Sequence, residues 1–169
     1  MKEIPLYEGL YEIDTFGSVY SVLAKKILKQ TINERGYKTV CLHRNRKCTT
    51  CLIHRLVAIT YIENPLNLPY VDHIDGDANN NALKNLRWCS AIQNSANTRK
   101  YWRDTFTSTY KGVSKDKRTG RWKVRLSVNK KQKFLGAYET EIKAALAYNK
   151  YAVTYYGEFA KLNIVKSEV

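Results

Sequence analysis

Between Tyr70 and Asn94 the chain carries Asp72, His73 and Asn94 in order. A carboxylate and an amide oxygen are hard donors, matched to Mg²⁺ or Mn²⁺. An adjacent imidazole is the usual general base near neutral pH. One hard cation plus a base is enough to hydrolyse a phosphodiester: the cation clamps the phosphate and the leaving oxygen, and the base activates water. Asp, Asn and Gly are also ordinary turn formers, so the ordered set points to chemistry and no single residue does.

The elements that must position this set can be read from the same stretch. A short apolar run, Tyr70-Val71, leads into Asp72-His73, and a loop dense in Asp, Gly and Asn runs from Asp75 to Asn81. A second apolar run holds Leu86 and Trp88, and Ser90 can cap a helix whose first turns carry Gln93 and Asn94. Strand, loop, strand and helix can bring Asp72, His73 and Asn94 together although 22 residues separate the ends. Upstream, apolar residues at 53, 56, 57 and 60 mark one face of a helix over Ile53 to Ile62. His54 near its start reads as a packing or capping residue that could approach the metal site.

Val71-Asp72-His73-Ile74-Asp75-Gly76, Asn80-Asn81, Asn85-Leu86-Arg87-Trp88 and Gln93-Asn94 follow one another here, after His54-Arg55-Leu56-Val57-Ala58 and Asn64-Pro65. This series resembles the HNH nuclease family, in the branch of phage and intron-associated homing endonucleases, over residues 1–98. The resemblance implies a ββα-metal core in which His73 is the general base and Asp72 and Asn94 hold the metal. It also implies that Asn85 is part of the catalytic set, tying the loop so that His73 is held in position, and that the product ends are 5′-phosphate and 3′-hydroxyl. The third signature position is Asn94, where many members have His, which argues for a hard cation rather than zinc.

Composition agrees with a polyanionic partner. The 169 residues carry a net charge of +14, which points first to nucleic acid and second to a membrane surface. No apolar run approaches the roughly 20 residues that span a bilayer. The start, MKEIPLYEGLYEI, lacks the charged-then-apolar pattern of a signal peptide. An intracellular protein of the cytoplasm or nucleoid is expected, with reduced thiols. The charge is uneven: residues 1–94 hold 12 Lys and Arg against 9 acids, and residues 95–169 hold 17 against 6. Two modules with different tasks follow from that asymmetry.

The first 52 residues read as a small antiparallel meander. Strands are expected at Tyr11 to Ile13, Val19 to Val22, Ile27 to Ile32 and Tyr37 to Leu42, with turns at Asp14 to Gly17 and Asn33 to Gly36. The opening, Pro5 to Tyr20, resembles the short module that precedes many nucleases of this branch, without its usual Trp. Lys25, Lys26, Lys29, Lys38, Arg44, Arg46 and Lys47 decorate these strands, either as a solvated face or along a DNA backbone. Cys48 and Cys51 are spaced C-x-x-C near Cys41, His43 and His54, which admits a zinc knuckle. The second half of a zinc pair is missing at the usual spacing, so Cys41 and Cys51 are expected as small buried hydrophobes.

Residues 99–108 form a connector in which Arg99, Lys100 and Arg103 alternate with Tyr101 and Trp102, suited to a phosphate backbone and to stacking. In Arg121 to Val128, Trp122, Val124, Leu126 and Val128 share one face while Arg121, Lys123, Arg125 and Ser127 share the other. Flanking strands are expected at Tyr110 to Lys115 and Gln132 to Tyr138. Thr140 then caps a helix running to Tyr156, with Ala144, Ala145, Tyr148, Ala152 and Tyr155 on its inner face and Gly157 as its stop. Tyr110-Lys111-Gly112-Val113, Gly120-Arg121-Trp122, Leu135-Gly136, the Ala-Ala pair of the helix and Gly157 to Asn163 together resemble the AP2 DNA-binding domain. That resemblance implies DNA reading by the sheet, with Lys111, Lys115, Arg121, Lys123, Arg125 and Ser127 placed to contact it. Ser114 stands where the plant members have a base-reading Arg, so the resemblance does not carry over which base sequence is read.

The expected architecture is α+β: an N-terminal antiparallel β module (1–52), an HNH core (53–98), a linker (99–108) and a three-stranded sheet plus helix (109–166). The expected function is a site-directed DNA endonuclease using Mg²⁺ or Mn²⁺. Its partner is double-stranded DNA, with no membrane and no small-molecule cofactor, and it acts as a monomer. The alternative is a non-catalytic DNA-binding regulator on the same scaffold.

Overall fold

The computed structural model describes residues 1–98, 106–128 and 131–165. Arg99, Lys100 and Arg103 lie outside the described residues. The chain divides into two compact units, Met1–Ala91 and Ile92–Val169.

In the first unit, β1 (Lys2–Glu3), β2 (Tyr11–Ile13), β3 (Val19–Ser21) and β4 (Lys26–Ile27) make one antiparallel sheet in chain order. A second sheet contains β5 (Thr31–Ile32), β6 (Lys38–Arg44) and β7 (Lys47–Leu52). The single meander expected from sequence is therefore two sheets, and the strand expected over 27–32 is broken between them. Ile27 pairs with Tyr20, and Ile32 pairs with Lys38. Between them the Leu28 N–H donates to the Val19 carbonyl at 2.8 Å and the Gln30 side chain donates to the Gly17 carbonyl at 2.7 Å. Ile27 and Ile32, whose apolar character suggested one strand, are 52% and 64% exposed. Strand β7 gave no apolar alternation because most of KCTTCL faces solvent. Its register comes instead from the two-residue turn Asn45-Arg46, where both φ angles are positive (51° and 61°), a turn whose twist matches that of paired strands.

After β7 come α1 (Ile53–Tyr61) and the antiparallel pair β8 (Tyr70–His73) and β9 (Leu86–Cys89), in which Asp72 faces Arg87 and His73 faces Leu86. One core unites all of this: Ile4, Ile13, Val19, Val40, Leu42, Ile53, Val57, Val71 and Leu86 are buried together. The boundary expected at 52/53 separates no cores, because α1 lays Ile53, Leu56 and Val57 on the apolar faces of both N-terminal sheets. Gly17 (φ +91°) allows the approach: a Cβ there would lie 2.5 Å from Ile53 Cγ2. From the same turn the Thr15 carbonyl accepts the Leu83 N–H at 2.7 Å, so the N-terminal module braces the loop between β8 and β9.

Helix α2 (Ala91–Ala96) falls at the division between the units. The second unit continues with β10 (Val113–Lys115), β11 (Trp122–Val128) and β12 (Lys131–Tyr138), antiparallel in chain order, and α3 (Glu141–Tyr156). The Thr140 hydroxyl accepts the Lys143 N–H at 3.2 Å, and Gly157 ends the helix at φ 55°, as the sequence predicts. Val113, Val124, Leu126, Ala144, Ala145, Tyr148 and Ala152 form the core. Tyr155 departs from the expected inner face: it is 39% exposed, with Lys133 Nζ 4.9 Å from its ring centroid. No described helix is long and apolar enough to cross a membrane.

Candidate nuclease site and basic sheet

The end of β8 delivers Asp72 and His73 side by side, both buried. His73 Nε2 lies 3.0 Å from Asn81 Oδ1. An amide oxygen can only accept, so this bond puts the proton on Nε2 and the lone pair of the neutral ring on Nδ1. The bond is buried, and it sets the ring's tautomer as well as its direction. His54 meets the His73 ring edge-on, with centroids 5.0 Å apart, and Tyr37 lies nearly parallel to it at 6.2 Å. Burial, then the proximity of His73, lowers the His54 pKa to about 4, so this second imidazole is neutral at neutral pH. His54 is thus a packing partner of His73, and its buried Nδ1 has no hydrogen-bond partner among the described residues.

The loop is tied by its own acids and amides. Asn85 Oδ1 accepts the Asp75 N–H at 3.1 Å, and its Nδ2 donates to Asp75 Oδ1 at 3.0 Å and to the Asn80 carbonyl at 2.8 Å. Asn80 donates to the other Asp75 oxygen at 2.7 Å. Burial opposes ionisation of Asp75, but these bonds and the Asp77 N–H outweigh it and hold its carboxyl below the usual range. Asn85 therefore closes the loop around Asp75, and Asn81, one residue beyond Asn80, is delivered to His73.

Asp72 Oδ2 accepts two bonds from Arg87, at 3.0 Å from Nε and 2.9 Å from Nη2. Cross-strand pairing puts them opposite each other. The nearby thiol, Cys89, is fully buried, and burial followed by the charge of Asp72 pushes its pKa up to about 11. The donor chemistry at the end of β8 is thus carboxylate oxygen without a thiolate, which fits a hard cation. Asn94 lies in α2, half-buried, within the second unit. Asn81 and Arg87 stand in the motif series, but the series itself assigns a role to neither. Arg87, at the β9 position alternate to Cys89, was the one available signal.

In the second unit the outer face of β11 presents Lys123, Arg125 and Ser127, as the alternation predicts, with Arg125 and Ser127 exposed. Arg121 is exposed just before the strand, and exposed Lys115 places Nζ 5.5 Å from the Trp122 ring centroid. Lys123 is partly neutralised by Asp116 at 2.8 Å, a contact that holds the Asp116 carboxyl well below its usual range. Lys111 requires a correction. Its Nζ turns inward and donates to the carbonyls of Ala96 (2.6 Å) and Thr98 (2.7 Å), where a helix leaves acceptors unfilled.

Burial, with a smaller push from Lys161, lowers the Lys111 pKa from 10.5 to about 8. In that window the unfolded chain keeps a proton that the folded chain has released, so stability rises with pH through it. Thermal midpoints of wild type and Lys111→Gln, compared from about pH 8 to about pH 10, should show wild type gaining on the variant as pH rises. A constant difference would remove the shift.

Residues 2–43 match the NUMOD4 motif. The chain is 49% identical over 84 residues to an uncharacterized HNH endonuclease of Acanthamoeba polyphaga mimivirus, covering 50% of this chain and 26% of that protein. It is 41% identical over 96 residues to the DNA endonuclease I-HmuI of Bacillus phage SP01, covering 57% of this chain and 55% of that one. A solved structure described as DNA binding and cleavage by the HNH homing endonuclease I-HmuI superposes with a TM-score of 0.53 at 40% identity, over 57% of this chain and 55% of that chain. The chain thus spans from about a quarter to about half of the length of these relatives.

Proposed function

We propose that this protein is a metal-dependent, site-directed DNA endonuclease of the HNH homing type that hydrolyses phosphodiester bonds. One observation carries the reading: a buried imidazole, oriented by Asn81, stands beside a buried carboxylate at the end of β8. The similarity to HNH endonucleases supports it. His73 Nδ1 takes the proton from the attacking water, and Asn81 stabilises the imidazolium by accepting from Nε2. Asp72 would hold Mg²⁺ or Mn²⁺, Asn94 would be the second oxygen ligand, and the cation would supply charge stabilisation at the phosphate. Arg87 compensates the Asp72 charge when no cation is bound and is a cation available to a phosphate when one is.

The second unit reads DNA in the manner of an AP2 domain, through Arg121, Arg125, Ser127, Lys115 and Lys123. The major groove admits such a sheet. In this reading the protein works as a monomer on double-stranded DNA in the cytoplasm or nucleoid. The paired state of Asp72 and Arg87 favours one second reading, a DNA-binding regulator in which the nuclease site is idle. Both readings are tested on genomic or plasmid DNA in Mg²⁺. Wild type should cut, and Asp72→Ala and Asn94→Ala should each lose cutting while retaining DNA binding. Binding without cutting by wild type would leave the regulator.

A further inference from the structure

The outer face of the β6–β7 hairpin carries a second group of metal-ligating side chains, apart from Asp72 and His73. Within the hairpin His43 pairs directly with Cys48, and Cys41 pairs with Thr50, so Cys41, His43 and Cys48 project from one face. Their ligand atoms all lie within 4.8 Å of one another, and all three residues are exposed. Cys41 and Cys48, 6.1 Å apart at Cα, are joined as a disulfide. This departs from two expectations, reduced thiols and a buried Cys41. The reason is register: the Asn45-Arg46 turn sets β7 so that Cys48 lies diagonally across from Cys41. Cys51, one strand position out of phase, points inward and packs on the core, as a small hydrophobe does.

Packing does not explain the exposed trio, since cysteine is among the residues most often buried. We propose that the reduced hairpin binds one Zn²⁺ through Cys41 Sγ, Cys48 Sγ and a ring nitrogen of His43, with water in the fourth position. Tetrahedral zinc with these donors needs ligand-to-ligand separations of about 3.5 to 3.8 Å, so the two sulfurs part on reduction while the whole cluster already lies within 4.8 Å. Two paired strands and a tight turn preorganise all three ligands. The two thiolates cancel the charge of the ion, so the centre adds no charge to a turn already carrying Arg44, Arg46 and Lys47. The balance is simple: a phosphine gives two electrons to the disulfide and leaves as its oxide, water supplying that oxygen and the two thiol protons, and Zn²⁺ then displaces those two protons into solvent. The disulfide is the oxidised, metal-free form of the same pair.

The test uses the full chain, reduced with a phosphine and stripped of metal, then titrated with Zn²⁺ against a chromophoric chelator and separately with Co²⁺. One equivalent should bind, and cobalt should give thiolate-to-metal charge-transfer absorption. Cys41→Ser, Cys48→Ser and His43→Ala should each weaken zinc binding by more than about 100-fold, beyond the range seen when only an outer partner of a ligand is lost. Asp72→Ala and Cys51→Ser should leave the cobalt spectrum unchanged, which separates this site from the hard-cation site. A fully reduced chain that binds no zinc would overturn the proposal, and so would zinc that survives in His43→Ala and Cys41→Ser.

Discussion

Substituting alanine for His73 is expected to slow DNA cleavage by a factor of about 10² to 10⁴ while leaving DNA affinity nearly unchanged. His73 acts on the attacking water, and it sits buried against Tyr37 and His54. Single-turnover cleavage and equilibrium binding, measured on the same DNA, separate the two effects. Asn81→Ala sharpens the test, because Asn81 bears on the reaction through its bond to His73. That variant should lose rate, with its pH–rate profile displaced, since the Nε2 proton of the imidazolium then lacks the Asn81 oxygen as its acceptor. Cleavage by His73→Ala within tenfold of wild type would remove His73 as the base.

Replacing Gly112 with alanine is expected to unfold the second unit, with a loss of about 3 kcal/mol or more. Gly112 has φ +74°, and a Cβ there would lie 2.2 Å and 2.3 Å from ring carbons of Tyr148 and 2.6 Å from the Arg125 carbonyl oxygen. Tyr148 is fully buried at the centre of that unit's core and cannot step aside. The Gly112 carbonyl also accepts the Arg125 N–H at 2.8 Å, so moving the backbone would disturb the basic strand. Calorimetry should show the transition of residues 92–165 falling while that of residues 1–91 is kept. Gly120→Ala serves as the control for strain alone: it has φ +71° but open space around its Cβ. Equal losses at the two positions would mean that the close approach to Tyr148 contributes nothing.

Much of the second unit was legible in the sequence because its signals are local. The alternation from Trp122 to Val128 separates core from surface within one strand, and Thr140 and Gly157 mark the ends of α3 by their own backbone chemistry. Likewise Asp72 and His73 are neighbours in the chain, so their adjacency at the site needed no fold to predict it. The first unit was less legible, because Ile27 and Ile32 face solvent while Leu28 packs on the core, and because β7 carries no periodicity of its own.

The sequence by itself determined which chemical groups this protein owns and which short elements carry them: a carboxylate and an imidazole on one strand, a tight Asn-rich loop, and a strand with one basic face. Only the tertiary structure decided how those groups are committed. It gave His73 to Asn81 rather than directly to Asn85, and it set Arg87 against Asp72 across a strand pair. It turned Lys111 away from the surface onto the end of a helix, and it brought Cys41, His43 and Cys48 to one face of a hairpin. The physical reason is the same in each case. A side chain's type and its local alternation belong to its own segment, whereas its partner depends on strand register and loop closure, which are set by whichever long-range pairing buries the most apolar surface.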